Sequence, residues 1–144
     1  QKEVRHMEFY LMPMFNKLCV QDIAKSEKWY SKTLGFKSVF KFRNDKQQVL
    51  MNHLRLAKYQ DIMLITNDTD WHVGNAIYLN LLVDDIDAVA ARASPKNILE
   101  PLTLKPWNAY ELTLKDPDGH QITLTQPLIK QEAFDDVIQQ IQLN

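Results

Sequence analysis

LCVQDIAKSEKWY (residues 18–30) and LLVDDIDAVAARA (residues 81–93) are two versions of one pattern. Each runs from a short apolar strand through an Asp and an Ile into a helix. Asp22 and Asp85 stand where a helix N-cap belongs, since a carboxylate there accepts orphan backbone N–H groups. After the first copy, Ile23, Ser26, Trp29, Tyr30 and Leu34 recur at helical spacing and Gly35 supplies a stop. Lys25, Lys28 and Lys32 take the wet face. Outward from this pair, the rest of the chain falls into two matching halves.

In the first half FKSVFKFR, QQVLMNHLRLA and YQDIMLIT read as three strands behind the helix, giving the order β-α-β-β-β. NDTDWHVGN (67–75) is a polar linker. In the second half AIYLNLLV leads into the short helix IDAVAARA. ILEPLTLKP follows, interrupted by Pro101, and AYELTLK and HQITLTQ form a hairpin about Asp-Pro-Asp-Gly. That is β-α-β-β-β again, an internal repeat. The expected domain is α+β, two βαβββ modules forming a curved half-barrel with a concave ligand cleft. Module one spans 13–66 and module two 76–127. Residues 128–144 form an amphipathic C-terminal helix with Phe134, Val137, Ile138 and Ile141 on one stripe, expected to dock on its own domain. Residues 1–6 are polar and read as a tag or leader ahead of Met7, so the domain proper is 7–144.

Composition narrows the function. Of 144 residues 45% are hydrophobic and 24% charged, and the formal net charge is −1. A nucleic-acid partner would require a basic excess, and the basic residues here are scattered. No apolar run approaches the ~18 residues of a membrane span. The single cysteine, Cys19, excludes an intrachain disulfide, and a reducing, cytoplasmic setting is expected. With three glycines there is no phosphate-cradling loop, and no nucleophile motif is present.

Taken in order, VQDIAKSEKWYSKTLGF (20–36), VDDIDAVAARA (83–93) and PWNAYELTLKDPDGHQITLTQP (106–127) resemble the vicinal-oxygen-chelate superfamily, which includes glyoxalase I, extradiol dioxygenases and bleomycin-resistance proteins. The resemblance implies paired βαβββ modules and a homodimer. Its metal-dependent members hold a divalent ion with His and Glu side chains from the concave face. The corresponding positions here are Phe15, Asp61, Tyr78 and Thr123. Phe15 cannot coordinate, and Thr and neutral Tyr are poor ligands for a divalent ion, so no metal and no cofactor are expected.

Strand alternation assigns the concave side chains. Phe15, Lys17, Asp61 and Met63 come from module one. Tyr78, Asn80, Glu111, Thr113, Thr123 and Thr125 come from module two, with Trp107 on the approach loop. An inward Lys17 needs an anion, supplied by Asp61, Glu111 or a ligand. Trp107 either overhangs the cleft or caps the core. This aromatic and neutral-polar lining suits a small amphipathic organic molecule. It resembles the bleomycin-resistance branch, in which a drug is sequestered without turnover. The alternative is a metal-dependent lyase, isomerase or dioxygenase whose ligands would be drawn from His53, Asp61, Glu111 and His120.

Overall fold

The computed structural model describes residues 9–129 and 131–143. The leader assigned to residues 1–6 lies outside them. Module one runs β1 (Asn16–Cys19), α1 (Ile23–Trp29), β2 (Lys37–Arg43), β3 (Val49–Ala57) and β4 (Gln60–Ile65). Module two runs β5 (Tyr78–Leu82), α2 (Ile86–Arg92), β6 (Ile98–Lys105), β7 (Ala109–Lys115) and β8 (Gln121–Pro127), and α3 (Gln131–Leu143) follows. The two sheets have the same topology. Their orders are β1-β4-β3-β2 and β5-β8-β7-β6, with β1 parallel to β4, β5 parallel to β8, and the remaining pairs antiparallel. Each is an open four-stranded sheet, and the expected pair of βαβββ modules is present.

The repeated aspartates act as expected. The Asp22 carboxylate accepts the Lys25 N–H at 3.0 Å and that of Asp85 accepts the Ala88 N–H at 3.2 Å. Helix α1 does not keep α geometry to its end. Residues Tyr30–Leu34 form a widened π turn that stops at Gly35, whose φ of 89° is left-handed. This turn carries Tyr30, which is fully buried and meets Trp29 and Phe36 edge-on at 5.0 and 5.5 Å. Alternation buries Leu18, Leu54, Ile62 and Leu64 of sheet one beneath α1. It also buries Leu81, Leu112, Leu114, Ile122 and Leu124 of sheet two beneath α2, and one apolar core runs through both modules.

Pro101 sits on β6, an edge strand where a missing N–H donor is tolerated, and the register with β7 shifts on either side of Glu100. Helix α3 departs from expectation. Ile138 and Ile141 are exposed, so this part of its stripe does not dock on the domain.

The Asp-Pro-Asp-Gly turn does more than close a hairpin. Asp116 is buried and accepts the backbone N–H groups of Asp118 and His120 at 2.9 and 2.8 Å, with Gly119 at a φ of 97°. Its other oxygen accepts the Tyr30 hydroxyl of module one at 2.7 Å. The Asp118 carboxylate accepts the Gln21 N–H at 3.1 Å and the Ser26 hydroxyl at 3.4 Å. The turn therefore clasps module two onto α1. The modules meet at three further points, one of them the Arg92 Nε–H donating to the Thr33 carbonyl at 3.2 Å. The Gln60 side chain bonds both backbone groups of Leu82, and the His120 ring bonds the Cys19 carbonyl.

Candidate functional site

The faces opposite the helices carry the candidate side chains. On module two, Asn80 pairs in register with Thr123, which pairs with Thr113, and Thr125 pairs with Glu111. Tyr78, Asn80, Thr113, Thr123, Thr125 and Glu111 therefore share one face. The Asn80 amide donates to the Thr125 hydroxyl at 2.9 Å, and the Thr113 and Thr123 hydroxyls bond each other at 2.8 Å. Thr113 and Thr123 are buried, whereas Tyr78 is 56% exposed. Beside them the Trp107 indole N–H donates to Glu111 at 2.8 Å, and the ring stands 63% exposed. At that exposure Trp107 does not cap the core. A satisfied polar floor under exposed aromatic rings can orient a flat ligand by its polar edge and hold it by its faces.

On module one, Lys17 pairs with Met63, Met63 with His53, and Asp61 with Arg55. These residues and the half-exposed Phe15 share the face opposite α1. Here the arrangement is charged. The Asp61 carboxylate is almost wholly buried. It accepts Arg55 Nε at 2.5 Å and lies 2.9 Å from His53 Nε2. It also accepts the Tyr10 hydroxyl. Burial, then the bond to Asp61, pushes the Tyr10 hydroxyl up to about 12, so the phenol keeps its proton. Lys17 reaches neither of its candidate partners. Asp61 is occupied by Arg55, His53 and Tyr10, Glu111 is bonded to Trp107, and Lys17 is exposed.

Sequence reasoning placed Asp61 on the face opposite α1 and named His53 only as a metal ligand of the alternative reading, missing Tyr10 and Arg55. Tyr10 precedes the first strand and carries no periodic signal. His53 and Arg55 are at strand spacing, but pairing them with Asp61 requires the tight turn at Lys58-Tyr59. That turn contains no glycine, although Tyr59 has a φ of 65°.

The residues do not fit a divalent metal. Phe15, Tyr78 and Thr123 supply no strong ligand and Asp61 is already engaged. Among the described residues no group of three His, Cys, Asp or Glu side chains is placed to hold an ion. His53 and Asp61 converge, but Glu111 and His120 are bonded elsewhere. Among the described residues no hydrogen bond or ion pair links the module-one candidates to those of module two. Two recesses, of about 550 and 520 Å³, lie on the helix side and none of the candidate residues lines them. The sheet faces are open surfaces rather than enclosures. Among the described residues no helix is long and apolar enough to cross a membrane.

The profile of the Glyoxalase/Bleomycin resistance protein/Dioxygenase superfamily matches residues 6–124. No curated protein sequence matches the chain. Several solved structures share the fold. TioX from Micromonospora sp. ML1 superposes with a TM-score of 0.65 at 20% identity, covering 80% of this chain and 98% of that one. A superfamily member from Sphaerobacter thermophilus DSM 20745 gives 0.63 at 24% identity, covering 83% and 98%. TnmS3, an antibiotic binding protein from Streptomyces sp. CB03234, gives 0.58 at 25% identity, covering 85% and 99%. With paired βαβββ modules in place and a profile match along most of its length, the chain belongs to the glyoxalase/bleomycin resistance protein/dioxygenase superfamily.

Proposed function

We propose that the protein binds a small amphipathic organic molecule on its concave face without a metal and without turning it over, as an antibiotic-sequestering protein does. The observation that carries this reading is the chemistry at the four positions where a metal-dependent relative would place ligands. They hold Phe15, Tyr78 and Thr123, and an Asp61 whose carboxylate is already bound by Arg55, His53 and Tyr10. Such a set offers apolar walls and oriented hydroxyls but no charge centre for a Lewis acid. The likeness to TnmS3, an antibiotic binding protein, supports the ligand class. The exposed Trp107, its indole N–H anchored on Glu111, is the flat surface on which a planar ligand would stack.

Native mass spectrometry of freshly purified, dialysed protein tests this directly. The expected result is protein without stoichiometric metal, carrying or accepting a small organic molecule. Titration of that molecule should quench tryptophan fluorescence, and Trp107→Ala should weaken its binding by about 1–3 kcal/mol, the range of a hot-spot aromatic. Stoichiometric nickel, zinc, manganese or iron surviving dialysis would overturn the reading in favour of a metal-dependent lyase, isomerase or dioxygenase.

A further inference from the structure

The ring of Tyr10 sits in a small site of its own. Its hydroxyl donates to Asp61 and accepts the Tyr59 backbone N–H at 2.9 Å. The Arg55 guanidinium lies over its face at 4.2 Å, and the Tyr59 ring meets it edge-on at 4.9 Å. A donor, an acceptor, a cation above the ring and an aromatic wall make up a complete set of contacts for a phenol. The receiving carboxylate is itself fixed by Arg55 and His53, and the Asp61 side chain is 1% exposed. The site is therefore built from module one, independently of the tyrosine that fills it.

The segment that brings Tyr10 there is irregular and partly exposed. Residues 9–15 form neither helix nor strand, and Phe9 and Leu11 are 89% and 92% exposed. The hydrogen bonds that moor it among the described residues are those of the Tyr10 hydroxyl. The segment leads to the half-exposed Phe15, just ahead of β1. A single well-fitted ring on an irregular, exposed segment has the form of a tethered ligand that a free one can displace.

We propose that Tyr10 is an internal stand-in, and that the concave face of module one takes a phenolic aromatic molecule in its place. The incoming hydroxyl donates to Asp61 and accepts from the Tyr59 N–H, the ring stacks beneath Arg55, and the N-terminal segment is released. This rests on the ligand-binding reading above and names the chemical class for it. An aromatic ring without the hydroxyl leaves the Asp61 oxygen and the Tyr59 N–H unpaired, so the site discriminates strongly against it.

The full chain carrying Tyr10→Ala tests this, with p-cresol and toluene as probes and the Tyr59 amide resonance as the reporter. p-Cresol should bind saturably and at least ~10-fold tighter than toluene, and adding Asp61→Asn should erase that preference. The parent should bind p-cresol at least ~10-fold more weakly than Tyr10→Ala, because its own tyrosine competes. Equal binding of p-cresol and toluene, or of p-cresol to parent and variant, would overturn the inference and leave Tyr10 a packing residue. Should Tyr10→Ala fail to fold, Tyr10→Phe retains the ring and frees the Asp61 oxygen. It should bind p-cresol more tightly than the parent, and no gain overturns the proposal. A ligand that quenches Trp107 without moving the Tyr59 resonance leaves the proposed function standing and sinks this inference. Displacement of Tyr10 by p-cresol with no ligand reaching Trp107 upholds this inference and removes only Trp107 from the proposed binding surface.

Discussion

Asp116 and Tyr30 meet across the two modules, and the stability of that contact depends on pH. Burial pushes the Asp116 carboxyl above the ordinary aspartate value, outweighing the bonds from Tyr30, His120 and Asp118 that pull it down. The folded state thus holds this proton more tightly than the unfolded chain does. The stabilisation that follows is complete below the unfolded value and is lost as pH rises through the raised folded value. At neutral pH the buried anion depends on its donors. Tyr30→Phe removes the one at 2.7 Å and should cost about 1–3 kcal/mol. The deficit should shrink as acidification protonates Asp116. Urea unfolding of parent and variant at neutral and mildly acidic pH measures both, and an unchanged deficit would show that Asp116 does not titrate in the fold. The sequence marks residues 115–120 as a turn because Pro and Gly act locally. The bond from Asp116 to Tyr30 spans 86 positions and leaves no local trace.

Among the elements, the most legible were those whose signal is periodic or paired. The helix starts at Asp22 and Asp85 could be read because the N-cap rule is local and the pattern occurs twice. Asp22→Ala should destabilise the protein by about 1 kcal/mol, and Asp22→Asn, which can still accept from the Lys25 N–H, by much less. Chemical denaturation checks this, and equal losses would mean that the charge rather than the hydrogen bond matters. Strand faces were legible too, since Leu18, Leu112, Leu114 and Leu124 are buried where alternation puts them. The end of α1 was not, because a π turn differs from an α turn by a single residue. Nor was the exposure of Ile138 and Ile141 on α3, since an apolar stripe looks the same whether or not a partner covers it. At the site the sequence put Asp61, Asn80, Thr113 and Thr123 on the sheet face opposite the helix, as the strand register does. It could not show that Asp61 is neutralised from within, because that depends on a glycine-free turn and on a tyrosine outside every regular element.

At the scale of the whole molecule, the two sheet faces are unfinished surfaces. Phe40 and Phe42 are 55% and 53% exposed and pair with His53 and Met51, which puts them on the face of module one that carries Asp61. Tyr78 and Leu82 are 56% and 55% exposed on the matching face of module two. Soluble monomers rarely leave such apolar surface bare. Two of the four sheet edges are protected from strand addition. Strand β2 carries Lys37, Lys41 and Arg43, and β6 carries Pro101. Association should therefore run through the faces, with one chain closing the cleft of another. We predict a homodimer, sedimenting at micromolar concentration near twice the chain mass of 16.9 kDa. Phe42→Glu, which would force a carboxylate into the covered surface, should shift the equilibrium toward monomer while far-ultraviolet circular dichroism stays unchanged. A parent protein found only at the monomer mass over the micromolar range would refute the assembly. Any ligand site would then have to be complete on the open faces of one chain.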